Sequence, residues 1–137
     1  MKVFLDTNVV IDLIISRNPF YKDIAEIVKI AEKKEIKLYT SSLSFVNTFY
    51  VASKVNAKGL VIESLKKIRI ICDVTIIDEL NIDKSLLSDF EDFEDAVQYN
   101  SAFYHDCEYI ITRDKKGFKN SKITVMTPDE FLISLKK

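Results

Sequence analysis

Five short runs, VFL (3–5), IKLYT (36–40), VTII (74–77), EYIIT (108–112) and ITVM (123–126), punctuate the chain with apolar, β-branched and aromatic residues. Each is too short for a helix and reads as a strand. Between them apolar residues recur every three or four positions. Val9 opens a helix that ends near Asn18-Pro19, because proline disfavours helix at the residue before it. Ile24, Ile27, Val28, Ile30 and Ala31 mark a second over 20–34. SSLSFVNTFYVASKV (41–55) begins with serine, a favoured cap, and Asn56 to Gly59 breaks it from LVIESLKKIRII (60–71). Two more helices, 78–90 and 91–105, meet near Phe90. Thr127-Pro128-Asp129-Glu130 starts the last, with threonine capping and proline first. Strands alternating with helices predict an α/β fold with a parallel sheet covered on both faces. Neither a repeat nor a linker interrupts the pattern, so residues 1–137 read as one domain.

Composition adds exclusions. With 47% hydrophobic and 30% charged residues and only two glycines, the chain is that of a globular protein without a glycine-rich phosphate loop. Asp6 and Asp12 interrupt the early apolar run, so no secretory leader is expected. No run reaches the ~20 apolar residues of a membrane span. Cys72 and Cys107 lack metal-ligand spacing and read as reduced core thiols of a cytoplasmic protein. A net charge of −1 gives no overall basic field for nucleic acid. The distribution is less even: 78–95 holds eight acids and one base, whereas 113–122 holds five bases and one acid. Solvated helix faces account for such patches equally well.

Asp6 is the first residue that calls for chemistry. It sits between two apolar runs, and a buried carboxylate is costly unless a partner or a cation compensates it. Asp114 follows YIITR as Asp6 follows VFL. If those strands are neighbours, both carboxylates project from one end of the sheet, where open α/β sheets bind their ligands. On helix 91–105, Phe93, Ala96, Val97, Asn100, Phe103 and Tyr104 read as the packed side, and Asp92 and Asp95 share the N-terminal turn. The helix dipole suffices to explain Glu91 and Glu94. Asp95 lies deeper, beside Ala96-Val97. Three aspartates gathered together would suit a hard divalent ion, Mg²⁺ or Mn²⁺, which activates water for phosphodiester cleavage.

MKVFLDTNVVIDLI, LYTSSLSFVNTFYV, DFEDAVQYNSA and YIITRDKKGF, in that order, resemble a PIN domain across essentially the whole chain. The resemblance implies a five-stranded parallel sheet flanked by helices and a Mg²⁺- or Mn²⁺-dependent ribonuclease site. Many small members are VapC-type toxins of toxin–antitoxin pairs and form homodimers. Carried over by position, the catalytic and metal-binding acids are Asp6, Asp95 and Asp114, with Asp92 and Asn47 as candidate further ligands. Asn8, Ser42 and Thr112 fall where supporting polar groups stand. Asn47 occupies the place of a second acid that is usually glutamate, which removes a charge while keeping a carbonyl donor. Arg113, Lys115, Lys116 and Lys119 are candidate RNA-phosphate contacts.

The other candidates read as structural. His105, near a helix end, suits the dipole; Asp12 reads as a surface or cap residue; Phe118 reads as packing. Tyr50 and Phe49 are candidates for a groove or a dimer interface. Two rival readings stand beside the nuclease. One is a PIN module that binds RNA or a partner protein without cleaving, motivated by Asn47. The other is a phosphate-accepting receiver domain, against which counts the absence of an acidic pair after the first strand.

Overall fold

A computed structural model describes residues 1–33 and 36–136. Five strands, β1 (Lys2–Leu5), β2 (Lys37–Ser41), β3 (Cys72–Thr75), β4 (Tyr109–Ile111) and β5 (Thr124–Met126), form a parallel sheet in the order β3-β2-β1-β4-β5. Helices α1 (Thr7–Ile14), α2 (Tyr21–Lys33), α3 (Ser42–Ala52), α4 (Lys58–Ile71), α5 (Glu79–Leu86), α6 (Phe93–Tyr104) and α7 (Pro128–Leu135) connect and flank them. The α/β class and the five parallel strands expected from the sequence are present.

Strand order reverses at β1, which pairs with β2 on one side and β4 on the other. That is the switch point at which such sheets open a crevice beyond their carboxyl ends. Leu5 pairs with Ile111, so the residues that follow, Asp6 and Thr112, emerge side by side. The condition on which Asp6 and Asp114 share one end of the sheet, that the first and fourth strands be neighbours, therefore holds.

Pleating sends successive side chains to opposite faces, and β1 splits accordingly. Val3 and Leu5 join Val9, Ile24, Ile27, Ile68 and Phe131 from α1, α2, α4 and α7 on one face. Phe4 joins Tyr39, Tyr99, Ala102, Ile110 and Phe118 on the other. Phe118 is therefore core, as expected. Cys72 and Cys107 are free and buried.

Several boundaries shift for identifiable reasons. Helix α1 starts at Thr7 rather than Val9 because Asp6 is its cap, its carboxylate accepting from the Thr7 amide. Gly59, expected in a break, lies inside α4. The third strand runs two residues earlier than VTII, paired from Leu38–Cys72 to Ser41–Thr75, and leaves Ile76 52% exposed. The expected end of the second helix, Lys34, lies outside the described residues. The last helix keeps its expected start, with a capping box between Thr127 and Glu130.

Candidate active site

Three carboxylates at the carboxyl end of the sheet share one local device. Asp6, Asp92 and Asp114 each cap the helix or turn that follows. Asp6 Oδ1 accepts from the Thr7 amide at 2.9 Å, Asp92 Oδ1 from the Asp95 amide at 3.0 Å, and Asp114 Oδ1 from the Lys116 amide at 3.1 Å. A cap ties one oxygen to the backbone and thereby aims the other. Helix α6 lies so that Asp95, in its first turn, reaches the same region.

Asp6, Asp92 and Asp95 line one cleft of about 450 Å³, together with Asn8, Asn47, Tyr50 and Glu94. Asp114 stands outside that lining, though its charge reaches Asp95. Burial pushes the Asp6 pKa up to about 6, against the hydrogen bonds from Thr112, Thr7 and Gln98. Asp95 is pushed up to about 7, first by burial and then by the charges of Asp6, Asp92, Glu94 and Asp114. Asp6 is 6% exposed and has no basic partner among the described residues. The cleft thus concentrates negative charge that nothing described neutralises.

A divalent cation fits this donor set by charge and by hardness, since every donor is oxygen. Among the described residues no three Asp, Glu, His or Cys side chains already form an enclosing ligand cluster. Closing such a shell therefore calls on donors beyond the protein acids, and substrate phosphate oxygens are of the right kind.

The supporting residues divide. Thr112 donates to Asp6 Oδ2 at 2.9 Å and accepts from Asn8 Nδ2 at 3.4 Å, which places both beside Asp6. Ser42 does not: it is exposed and faces an apolar groove with Phe45 and Ile62. The hydroxyls of this segment that turn inward are instead those of Ser41 and Ser44, which are buried and meet Gln98 and Thr7. Asn47 lines the cleft and donates from Nδ2 to Glu94 Oε1 at 3.4 Å. Glu94, read only as a favourable first-turn acid, is thus also a cleft residue.

Arg113 and Asp12 depart furthest from expectation. Asp12 is fully buried, with Arg113 Nε 2.7 Å and Arg17 Nε 3.7 Å from its carboxylate. The Arg113 N–H is not aligned on the oxygen, so the contact is ionic. Burial raises the Asp12 pKa, and the two guanidinium charges oppose the rise. Arg113 also stacks on Phe20, 4.3 Å from its ring centre. A side chain held this way stands against α1 rather than free for phosphate. Lys115 pairs with Glu130 at 3.0 Å and Lys119 with Glu91 at 2.8 Å on the surface.

Two residues escaped the sequence reading. Gln98 is fully buried on α6, and its Nε2 lies 3.4 Å from Asp6 Oδ1, 2.6 Å from Thr7 Oγ1 and 2.9 Å from Ser44 Oγ. Its Oε1 accepts from the Ser41 hydroxyl. Gly117 leaves room for Asp95: a Cβ added there would sit 1.9 Å from Asp95 Oδ2. The expected packed side of α6 is also revised. Ala96, Val97, Gln98, Tyr99, Ser101 and Ala102 are buried, whereas Phe93, Phe103 and Tyr104 are 48%, 51% and 65% exposed. His105 accepts from the Ile76 amide at 3.1 Å, away from the cleft.

Comparison with known proteins converges on one family. The PIN domain profile matches residues 2–116. Ribonuclease VapC1 of Aquifex aeolicus (strain VF5) is 29% identical over 135 residues, covering 95% of this chain and 92% of its own. Among solved structures, a toxin–antitoxin complex from Klebsiella pneumoniae superposes with a TM-score of 0.68 at 22% identity, over 92% of this chain and 97% of that one. VapBC2 from Rickettsia felis, bound to a DNA fragment from its promoter, gives 0.68 at 14% identity, over 93% and 98%. At these identities the structural likenesses establish the fold.

Proposed function

The chain belongs to the PIN domain family, and on that premise we propose that it is a divalent-metal-dependent endoribonuclease, the toxin of a toxin–antitoxin pair. The observation that carries the reading is the unneutralised cleft: Asp6 and Asp95, on two elements brought together by the switch point, both carry raised pKa values. The similarity to Ribonuclease VapC1 along nearly its full length supports RNA as substrate.

Asp6, Asp95 and Asp114 would hold Mg²⁺ or Mn²⁺, with Asp92 and Asn47 completing the donors. When bound, the cation acidifies a water and offsets charge on the phosphodiester under attack. The chain's own residues do the rest. Thr112 and the Thr7 amide keep the Asp6 carboxylate oriented. Asn8 accepts from the Arg113 amide at 3.4 Å and so ties the strand end that leads to Asp114. Lys115, Lys116 and Lys119 supply sequence-blind contacts to phosphates, since exposed ion pairs such as Lys115–Glu130 are weak enough to exchange. Arg113 contributes by bracing that loop through Asp12. Tyr50, on the cleft wall and 71% exposed, offers a face on which a base can stack.

The toxin–antitoxin neighbours support an antitoxin as protein partner, and the family resemblance supports a homodimer in the cytoplasm. Among the described residues no helix is long and apolar enough to cross a membrane. A second reading, binding without cleavage, is favoured by Asn47, which puts an amide where another carboxylate would strengthen the site.

Incubating the purified protein with a single-stranded RNA pool in Mn²⁺, Mg²⁺ or EDTA separates the two. Cleavage that requires metal and disappears in Asp6→Asn and Asp95→Asn supports the nuclease. RNA retained on the protein but uncut in every condition supports the binding module.

A further inference from the structure

Gln98 reaches from α6 into the candidate site's buried support. It lies three residues, just under one helical turn, beyond Asp95 on α6. Its amide nitrogen faces Thr7 and Asp6 at the end of β1 and Ser44 in α3, and its amide oxygen accepts from Ser41 at the end of β2. Thr7 and Ser44 hydroxyls are themselves 2.7 Å apart, and the Ser44 amide donates to Ser41 Oγ at 3.0 Å. Ser41, Ser44 and Gln98 are completely buried.

A buried amide with both ends engaged is stiff, because each broken bond leaves an uncompensated polar group. The knot connects three elements: the start of α1, which carries Asp6; α3, which carries Asn47 one turn after Ser44; and α6, which carries Asp95. The two Asp6 oxygens are supported from different directions. Oδ2 is held from β4 by Thr112, and Oδ1 from α6 by Gln98 in addition to its own cap. Gln98 is the only described side chain of α6 that bonds to Asp6.

We propose that Gln98 is a positioning residue: it fixes the Asp6 carboxylate relative to the helix carrying Asp95, and so sets how tightly the cleft takes a divalent cation. The proposal rests on the metal-site reading above. Groups that orient metal-binding carboxylates commonly change affinity by 10–100-fold when removed. A glutamine does this without adding charge to a region already rich in it. A merely structural amide would instead affect folding and leave the affinity of the folded protein unchanged.

The test is Mn²⁺ binding to metal-free protein, read from the loss of the free-ion paramagnetic resonance signal, alongside thermal melting. Gln98→Met keeps the volume and removes the amide; Ser41→Ala frees only the amide's far end and is the gentler substitution should methionine prevent folding. Ser85→Ala is the control, since Ser85 is buried in a separate polar network with Asn81 and Asn100. The expected result is Mn²⁺ affinity lower by about tenfold in Gln98→Met and lower to a smaller degree in Ser41→Ala. Ser85→Ala should lose melting temperature while binding as wild type does. Wild-type affinity in Gln98→Met, or in Ser41→Ala where only that variant folds, overturns the positioning role. If wild type and Asp6→Asn bind Mn²⁺ equally, the metal-site reading itself falls, and this inference with it.

Discussion

Asp6 is held by the Thr7 amide, the Thr112 hydroxyl and the Gln98 amide, yet its pKa stands at about 6 instead of near 4 because burial outweighs those bonds. A carboxyl whose folded pKa is raised binds protons in the folded state that the unfolded chain has released. Stability from such a group is therefore lost as pH rises from about 4 towards its folded pKa, and stays lost above it. For Asp6 and Asp95 the window runs from about 4 to about 6 and about 7 respectively. Asp6→Asn in metal-free protein should melt higher than wild type at pH 7.5, by the equivalent of roughly 3 kcal/mol, and the advantage should shrink towards pH 4. Melting curves of the two proteins across pH check this, and a variant less stable than wild type at pH 7.5 refutes it. Asp6 was legible because a lone acid between two apolar runs is conspicuous. Gln98 was not, because an amide beside Ala96 and Val97 resembles a solvated helix position and its partners lie far away in the chain. The cluster of small hydroxyls at Thr7, Ser41 and Ser44 was the available signal.

Helix ends and turns decide how the acids are delivered. The 3₁₀ turn Lys115–Phe118 presses Gly117 against Asp95, so Gly117→Ala must move something. The contact atom is the end of a side chain, so the cheap response is rotation of Asp95 and not unfolding. Gly117→Ala should melt close to wild type while losing at least about tenfold in Mn²⁺ affinity; unchanged affinity would mean that Asp95 plays no part in holding metal. Arg113 braces the start of the same turn from behind. Asp12→Ala removes the counter-charge of both guanidinium groups, empties a fully buried position and should cost about 3 kcal/mol of stability, measured by denaturant unfolding. A loss near zero would show the pair to be incidental. Asp12 escaped the sequence reading because its partners, Arg17 and Arg113, lie on different loops that only the fold brings together. The offset of β3 has a similar origin: VTII scores as a strand by composition, but pairing with β2 selects Cys72–Thr75.

Across the whole molecule the charges nearly cancel, and strands alternating with helices foretold the parallel sheet, whereas which strands are neighbours, and so where the switch point falls, came only with the fold. Nor could alternation give which lysines are committed. Lys115 and Lys119 have acidic partners at the surface, whereas Lys116 has none among the described residues. With so few cations to contact RNA, binding should depend only moderately on salt, with a log–log slope of about −2 for three phosphate contacts to a single strand. Lys116→Ala should lower that slope by roughly 0.7, as read by fluorescence anisotropy of labelled RNA on the cleavage-deficient Asp95→Asn protein. A slope near zero would rule out a phosphate interface on this face.

If the carboxylates around this cleft hold a divalent cation, the cation itself can be located. The most direct measurement is an anomalous difference map from crystals soaked in Mn²⁺. A peak is expected within coordinating distance of the Asp6 and Asp95 carboxylates, and it should vanish in Asp95→Asn crystals. An empty cleft at millimolar Mn²⁺, or a peak that persists without Asp95, would contradict the metal-site reading.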